Sequence, residues 1–231
     1  MAIEMIAFDA DDTLWENEMI YQNALAELQE ILAPWGSPEG VNEIVNEIEH
    51  RNLEQYGYGI KAFILSLIEA ALQISDHEIH AEEIDKILGI GRSMLEADIH
   101  MMPNVLETLK ALKGKYPLMV ITKGDLLDQT AKVKRSGLEE FFKAVEVLND
   151  KTEESYLNIL EVHQINPQGL IMIGNSIRSD ILPILNIGGK AVYIPADNTW
   201  SHEMVADFNP DVDGYYELTH IGQLPDLIQR I

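Results

Sequence analysis

Ile3 to Phe8 is an unbroken apolar run that stops at a cluster of carboxylates, Asp9, Asp11 and Asp12. A short apolar run with this ending predicts a buried strand. From about Glu16 to about His100 the apolar residues instead recur at helical spacing: Ala24, Leu25, Leu28, Ile31 and Leu32, then Val41, Ile44, Val45 and Ile48, then Phe63, Ile64, Leu67, Ile68 and Ala71. Breaks fall at Pro34-Trp35-Gly36-Ser37-Pro38 and at Tyr56-Gly57-Tyr58-Gly59, and Ser75 with Glu78 predicts a capping box opening a further helix. After Pro103 strand and helix alternate. Helices are expected over 105–112, 126–136, 152–163, 180–185 and 221–231. Strands are expected over 118–121, 145–148, 170–173 and 191–194, with a weaker one at Tyr215-Tyr216. Short connections between alternating strands and helices predict an α/β fold, a doubly wound parallel sheet with helices on both faces. The helical residues 16–100 then form an insert after the first strand, and residues 1–15 and 101–231 form the core.

Composition narrows the partners. Of 231 residues, 46% are apolar and 24% charged, the balance of a globular chain with enough material for a core. There are 16 Lys and Arg against 39 Asp and Glu, a net charge of −23. Such a chain is a poor partner for nucleic acid or an anionic membrane. Cysteine is absent, which excludes disulfides, thiolate zinc sites and Cys nucleophiles. The start, MAIEMIAFDA, lacks a basic region and a small-residue cleavage site, and the most apolar stretch, 63–74, is too short to span a bilayer and carries Glu69. The expected location is cytoplasmic. The oligomeric state is left open.

Open parallel sheets bind ligands at the carboxyl ends of their strands. Four predicted strands end in polar residues: Asp9-Ala10-Asp11-Asp12-Thr13, Thr122-Lys123-Gly124-Asp125, Asn149-Asp150-Lys151, and Gly174-Asn175-Ser176-Ile177-Arg178-Ser179-Asp180. If the extended conformation continues past the first strand, Asp9 and Asp11 project to one side. Two close carboxylates repel unless a cation or a shared proton compensates, and oxygen donors without His or Cys suit Mg²⁺ better than zinc. The competing interpretation of the pair is a solvated acidic turn that caps a helix; the convergence of four polar strand ends argues against it.

The run Ile6-Ala7-Phe8-Asp9-Ala10-Asp11-Asp12-Thr13-Leu14 resembles the first motif of the haloacid dehalogenase-like (HAD) superfamily. Thr122 resembles its second motif, Lys151 its third and Gly174 to Asp180 its fourth. The order and spacing agree over essentially the whole chain, and the insert resembles the helical cap of the first cap type. The resemblance implies a Rossmann-like core and a Mg²⁺-dependent phosphatase acting on a small phosphorylated molecule. It implies that Asp9 is the nucleophile that forms an aspartyl-phosphate and that Asp11 is the proton donor and acceptor. Thr122 and Lys151 would hold phosphate oxygens. Asp9, the backbone carbonyl of Asp11, Asp180 and Asn175 would hold the metal.

Two positions depart from the family pattern. The fourth motif commonly begins Gly-Asp, whereas here it begins Gly174-Asn175, which removes one negative charge from the metal site. Asp12 stands where Gly is frequent and is expected in a loop or at a helix start. Within the same superfamily a 2-haloacid dehalogenase and a phosphomutase are the alternatives; the dehalogenase has no need of Asp11. Outside it, a non-catalytic phosphate-binding or phospho-acceptor protein also gathers acids, Thr and Lys. Trp15 is expected chiefly to pack, and Trp200 and His202 fall in a late loop that is a candidate for the entrance of the site.

Overall fold

The structure is a computed structural model that describes residues 2–196, 203, 205 and 207–231. Trp200 and His202 therefore lie outside the described residues. In chain order the elements are β1 (Met5–Phe8), α1 (Glu18–Leu32), α2 (Pro38–Tyr56), α3 (Ile60–Ile74), α4 (Ala81–Glu96), α5 (Val105–Leu112), β2 (Leu118–Lys123), α6 (Leu126–Arg135), β3 (Ala144–Leu148), α7 (Glu153–His163), β4 (Leu170–Gly174), α8 (Leu182–Asn186), β5 (Lys190–Tyr193), β6 (Tyr215–Glu217) and α9 (Leu224–Ile228). The chain divides into two compact units, Met1–Glu18 with Ile99–Ile231, and Met19–Asp98. No helix among the described residues is long and apolar enough to cross a membrane.

The larger unit is built on a six-stranded sheet of order β3-β2-β1-β4-β5-β6, with every neighbouring pair parallel. The alternation of side chains along each strand makes the sheet doubly wound. On one face Ile6, Phe8, Leu118, Val120, Ile171 and Ile173 share a core with Val105 and Leu109 of α5 and with Leu224 and Ile228 of α9. On the other face Met5, Ala7, Met119, Ile121, Leu170 and Met172 pack with Tyr156, Ile159 and Leu160 of α7 and Ile184 of α8. Because both faces are covered, β1, β2 and β4 read as nearly continuous apolar runs. β1 lies between β2 and β4, with Phe8 in register with Val120 on one side and Ile173 on the other.

The smaller unit is helical. Ser37 opens α2: its hydroxyl accepts the Gly40 N–H at 3.3 Å, and Pro38 sits in the first turn. Gly57, at φ +70°, ends the helix. Leu28, Leu32, Val45, Ile48, Leu67, Ile87 and Ile90 form its core. α3 and α4 approach so closely that a Cβ on Gly91 would lie 2.7 Å from Ile64. The Tyr56 hydroxyl donates to Glu69 at 2.8 Å.

Two local expectations are corrected. Ser75 does not open a helix: it closes α3, its hydroxyl accepts the Ile79 N–H at 3.2 Å, and α4 begins only at Ala81. The helix expected over 180–185 is a five-residue π-helical turn, Ile177–Ile181, followed by α8. The side chains of Ser176 and Asp180 take up backbone N–H groups there, and Pro183 lies in the first turn of α8.

Candidate active site

Asp9 follows β1 directly, and its backbone N–H still donates to the Ile173 carbonyl at 2.8 Å, so β4 fixes where its side chain starts. Lys151 stands at the end of the loop from β3, just before Thr152, whose capping box with Ser155 begins α7. Its ammonium donates to Asp9 Oδ1, and to Asp180 Oδ1 at 2.6 Å. All three residues are buried. Asp180 reaches this position because of glycine: a Cβ on Gly174 would lie 2.1 Å from its Oδ2. The same oxygen accepts the Ser176 N–H at 3.1 Å.

Burial pushes the Asp9 carboxyl up to about 7 against the pull of the Lys151 ammonium, and repulsion from Asp180 adds to the rise. Burial also opposes the charge on Lys151, but Asp180 and Asp9 together hold its ammonium above the usual lysine range. Tyr156, packed beneath, is raised well above the ordinary phenol value by burial, and its hydroxyl donates to the Ser179 carbonyl at 3.1 Å.

Asp11 has partners of its own, although its charge still acts on Asp9. Asp11 still bridges to Trp15, and the Ala10 carbonyl accepts the N–H groups of Thr13 at 3.2 Å and Leu14 at 2.7 Å. Asp12 adopts the left-handed conformation at φ +58°, which Asp tolerates better than most residues and which explains Gly at such a position. The Asp12 carboxylate accepts the N–H groups of Asn17 at 2.8 Å and Glu18 at 3.1 Å. This tight turn carries Asp11 to α6, where Lys132 Nζ lies 3.1 Å from both of its oxygens.

Thr122, on β2, is buried, with its hydroxyl 3.5 Å from the Lys123 carbonyl. Asn175 Oδ1 accepts from the Thr13 hydroxyl at 3.2 Å. Thus Asp9, Lys151 and Asp180 are joined directly, while Asp11 belongs to a second cluster. Sequence reasoning missed the residues that build this second cluster: Gln129 and Lys132 as a whole, and the role of Trp15, which packs as expected but also donates through Nε1 to Asp11 Oδ1 at 2.7 Å. It also missed Glu203. Burial opposes the Glu203 charge, but Lys123 and the hydroxyls of Ser176 and Ser179 hold its carboxyl down at about 2.

The donors suit a hard divalent cation. Asp9 and Asp180 share the one ammonium of Lys151. Asn175 offers a neutral oxygen. Among the described residues no three His, Cys, Asp or Glu side chains form a closed metal cage. Mg²⁺ commonly uses one or two carboxylates together with water and substrate phosphate, so this open set fits it.

Comparison with known proteins agrees with this architecture. A solved haloacid dehalogenase-like family hydrolase from Xanthomonas campestris is 33% identical, with a TM-score of 0.89 over 99% of this chain and 91% of that one. A glyceraldehyde 3-phosphate phosphatase from Pyrococcus furiosus is 23% identical over 99% of this chain and 94% of its own length. A 2-haloacid dehalogenase from Pseudomonas syringae shares the fold at 24% identity, with a TM-score of 0.66 over 99% of both chains. The family model for haloacid dehalogenase-like hydrolases matches residues 3–188, and the chain belongs to that family.

Proposed function

We propose that this protein is a Mg²⁺-dependent phosphatase that hydrolyses a small-molecule phosphomonoester through an aspartyl-phosphate on Asp9. The observation that carries the proposal is the buried Asp9–Lys151–Asp180 cluster at the tip of β1 together with a second, separately held carboxylate, Asp11. The similarity to a phosphatase from Pyrococcus furiosus supports the same class of substrate.

In the first step an Asp9 oxygen bonds to phosphorus as the bond from phosphorus to the leaving oxygen breaks. Asp11, acting as the general acid, gives a proton to that oxygen, and the alcohol departs. In the second step the Asp11 carboxylate takes a proton from water as the water oxygen bonds to phosphorus. The bond from phosphorus to Asp9 then breaks, releasing phosphate and restoring both carboxyl groups to their starting states. Thr122 and Lys151 hold phosphoryl oxygens. Asp9, the Asp11 carbonyl, Asp180 and Asn175 would hold Mg²⁺, which would supply charge compensation when bound. On this reading the helical unit is the cap that selects the substrate.

The test is release of inorganic phosphate from a panel of phosphomonoesters, with Mg²⁺ and with EDTA. Mg²⁺-dependent release is expected. The fold shared with a 2-haloacid dehalogenase makes halide release from 2-haloacids the necessary control. Halide release without metal, or full phosphatase activity in excess EDTA, overturns the proposal.

A further inference from the structure

Helix α6 begins inside out. Its apolar residues Leu126 and Leu127 are 67% and 71% exposed, while Asp128, Gln129 and Lys132 are buried, Lys132 to 3%. A helix placed only by its apolar stripe would do the reverse. Burying an ammonium is costly unless charge and hydrogen bonds compensate. This helix therefore has a polar task that outweighs the cost.

The task converges on Asp11. Lys132 Nζ is 3.1 Å from each Asp11 oxygen. Gln129 Nε2 donates to Oδ2 at 2.8 Å, and Trp15 Nε1 donates to Oδ1 at 2.7 Å. Gln129 Nε2 is also 3.1 Å from the Lys123 carbonyl, and the adjoining loop leaves room for it: a Cβ on Gly124 would come within 3.2 Å of this nitrogen. Lys132 is anchored independently of Asp11. It donates to Asn17 Oδ1 at 2.7 Å and lies 3.8 Å from Asp128 Oδ2.

The consequence follows from Coulomb's law. Asp9 and Asp11 are two residues apart, and Lys151 already serves Asp9 and Asp180. Deprived of Lys132, the Asp11 carboxylate would lose its one ammonium partner and be held by Gln129 and Trp15 alone. The ammonium and the two further donors together fix it in one orientation.

We propose that Lys132 is a positioning residue that, with Gln129 and Trp15, holds Asp11 in one orientation for proton transfer; the proposal rests on the phosphatase reading above. In this role Lys132 acts through Asp11 and not on the phosphoryl group or the leaving oxygen.

The experiment measures steady-state and single-turnover cleavage of aryl and alkyl phosphates of graded leaving-group basicity. The proteins are wild type, Lys132→Met, Lys132→Arg, Trp15→Phe, Asp11→Asn and the Asp11→Asn double variants. Lys132→Met is expected to lower kcat about 10- to 100-fold with KM within about threefold, and the loss should grow with leaving-group basicity. Lys132→Arg should recover part of it. In the Asp11→Asn background the same Lys132 substitution should cost less than about threefold, because the group it positions is gone. If Lys132→Met does not fold, Trp15→Phe keeps a packed ring while removing one donor. It should show the same pattern at about three- to tenfold. Equal losses in both backgrounds, losses indifferent to the leaving group, or a change in KM alone would overturn the positioning role while leaving the phosphatase intact. A wild-type protein that cleaves none of these esters would overturn the phosphatase reading and this proposal with it.

Discussion

Lys151 and Lys132 are both buried, and each lies between two carboxylates, but their surroundings differ. Lys151 sits at the tip of the central strand. Its partner Asp9 is pushed up to about 7 by burial, against the pull of Lys151. Lys132 sits on a helix, and its partner Asp11 also receives hydrogen bonds from Gln129 and Trp15. On the proposed reading, the first cluster takes the change of charge when phosphate or metal binds, and the second holds the geometry of one carboxylate. Similar residue types therefore serve different ends, and environment assigns the role.

The largest effect should come from the first cluster. Asp9→Asn removes the attacking charge and one metal donor, and turnover should fall by more than about 10⁴-fold, measured as phosphate release at saturating substrate. Retention of wild-type rates would transfer the nucleophile's role elsewhere.

Stability separates the two lysines next. Lys151→Met leaves Asp9 and Asp180 buried against one another and should cost about 3–5 kcal/mol in denaturant unfolding. Lys132→Met should cost less, about 1–3 kcal/mol, because Asp11 keeps two neutral donors and is partly exposed. The opposite order would remove the distinction drawn between the clusters.

A smaller effect is expected at Asn175. Asn175→Asp adds a carboxylate beside the first cluster. It should lower the melting temperature of the metal-free protein and enlarge the rise produced by Mg²⁺, with half-saturation at about three- to tenfold lower Mg²⁺. An unchanged Mg²⁺ response would remove Asn175 from the metal site.

An effect outside both clusters is expected at Glu203, whose carboxyl is held down at about 2. A lowered carboxyl contributes stability that is complete above the ordinary value near 4.5 and is lost as pH falls through about 2. Glu203→Gln should therefore be less stable than wild type at pH 7, by on the order of 2 kcal/mol, with the difference shrinking as pH falls below about 4. A constant difference across that range would show that Glu203 acts by packing.

Much of this was legible before the structure because the apolar pattern and the chemistry agree along the sheet. β1, β2 and β4 are buried on both faces, so each reads as an apolar run, and Asp9, Thr122 and Asp180 stand out where or just after the run stops. The partners of Asp11 were not legible. They come from Trp15 and from α6, far along the chain, and nothing in the strand pattern points to either. Lys132 and Gln129 were hidden for a further reason. The apolar pair Leu126-Leu127 marks the wrong inward face, and only the contacts with Asp11 show why the helix is turned over. Glu203 lies 80 residues beyond Lys123, with no periodicity to place it against that side chain.

The central claim is that phosphate passes through Asp9 while Asp11 moves protons. It is tested most directly by rapid-quench mass spectrometry of Asp11→Asn with 4-nitrophenyl phosphate and Mg²⁺. This leaving group needs little help from an acid, whereas hydrolysis of the intermediate still needs a base, a contribution commonly worth about 10²–10⁴-fold. The account predicts a burst of nitrophenolate and accumulation of one phosphoryl group on Asp9, absent in Asp9→Asn. Phosphate on another residue, or full turnover with no phosphorylated protein when Asp9 is replaced by Asn, would contradict it.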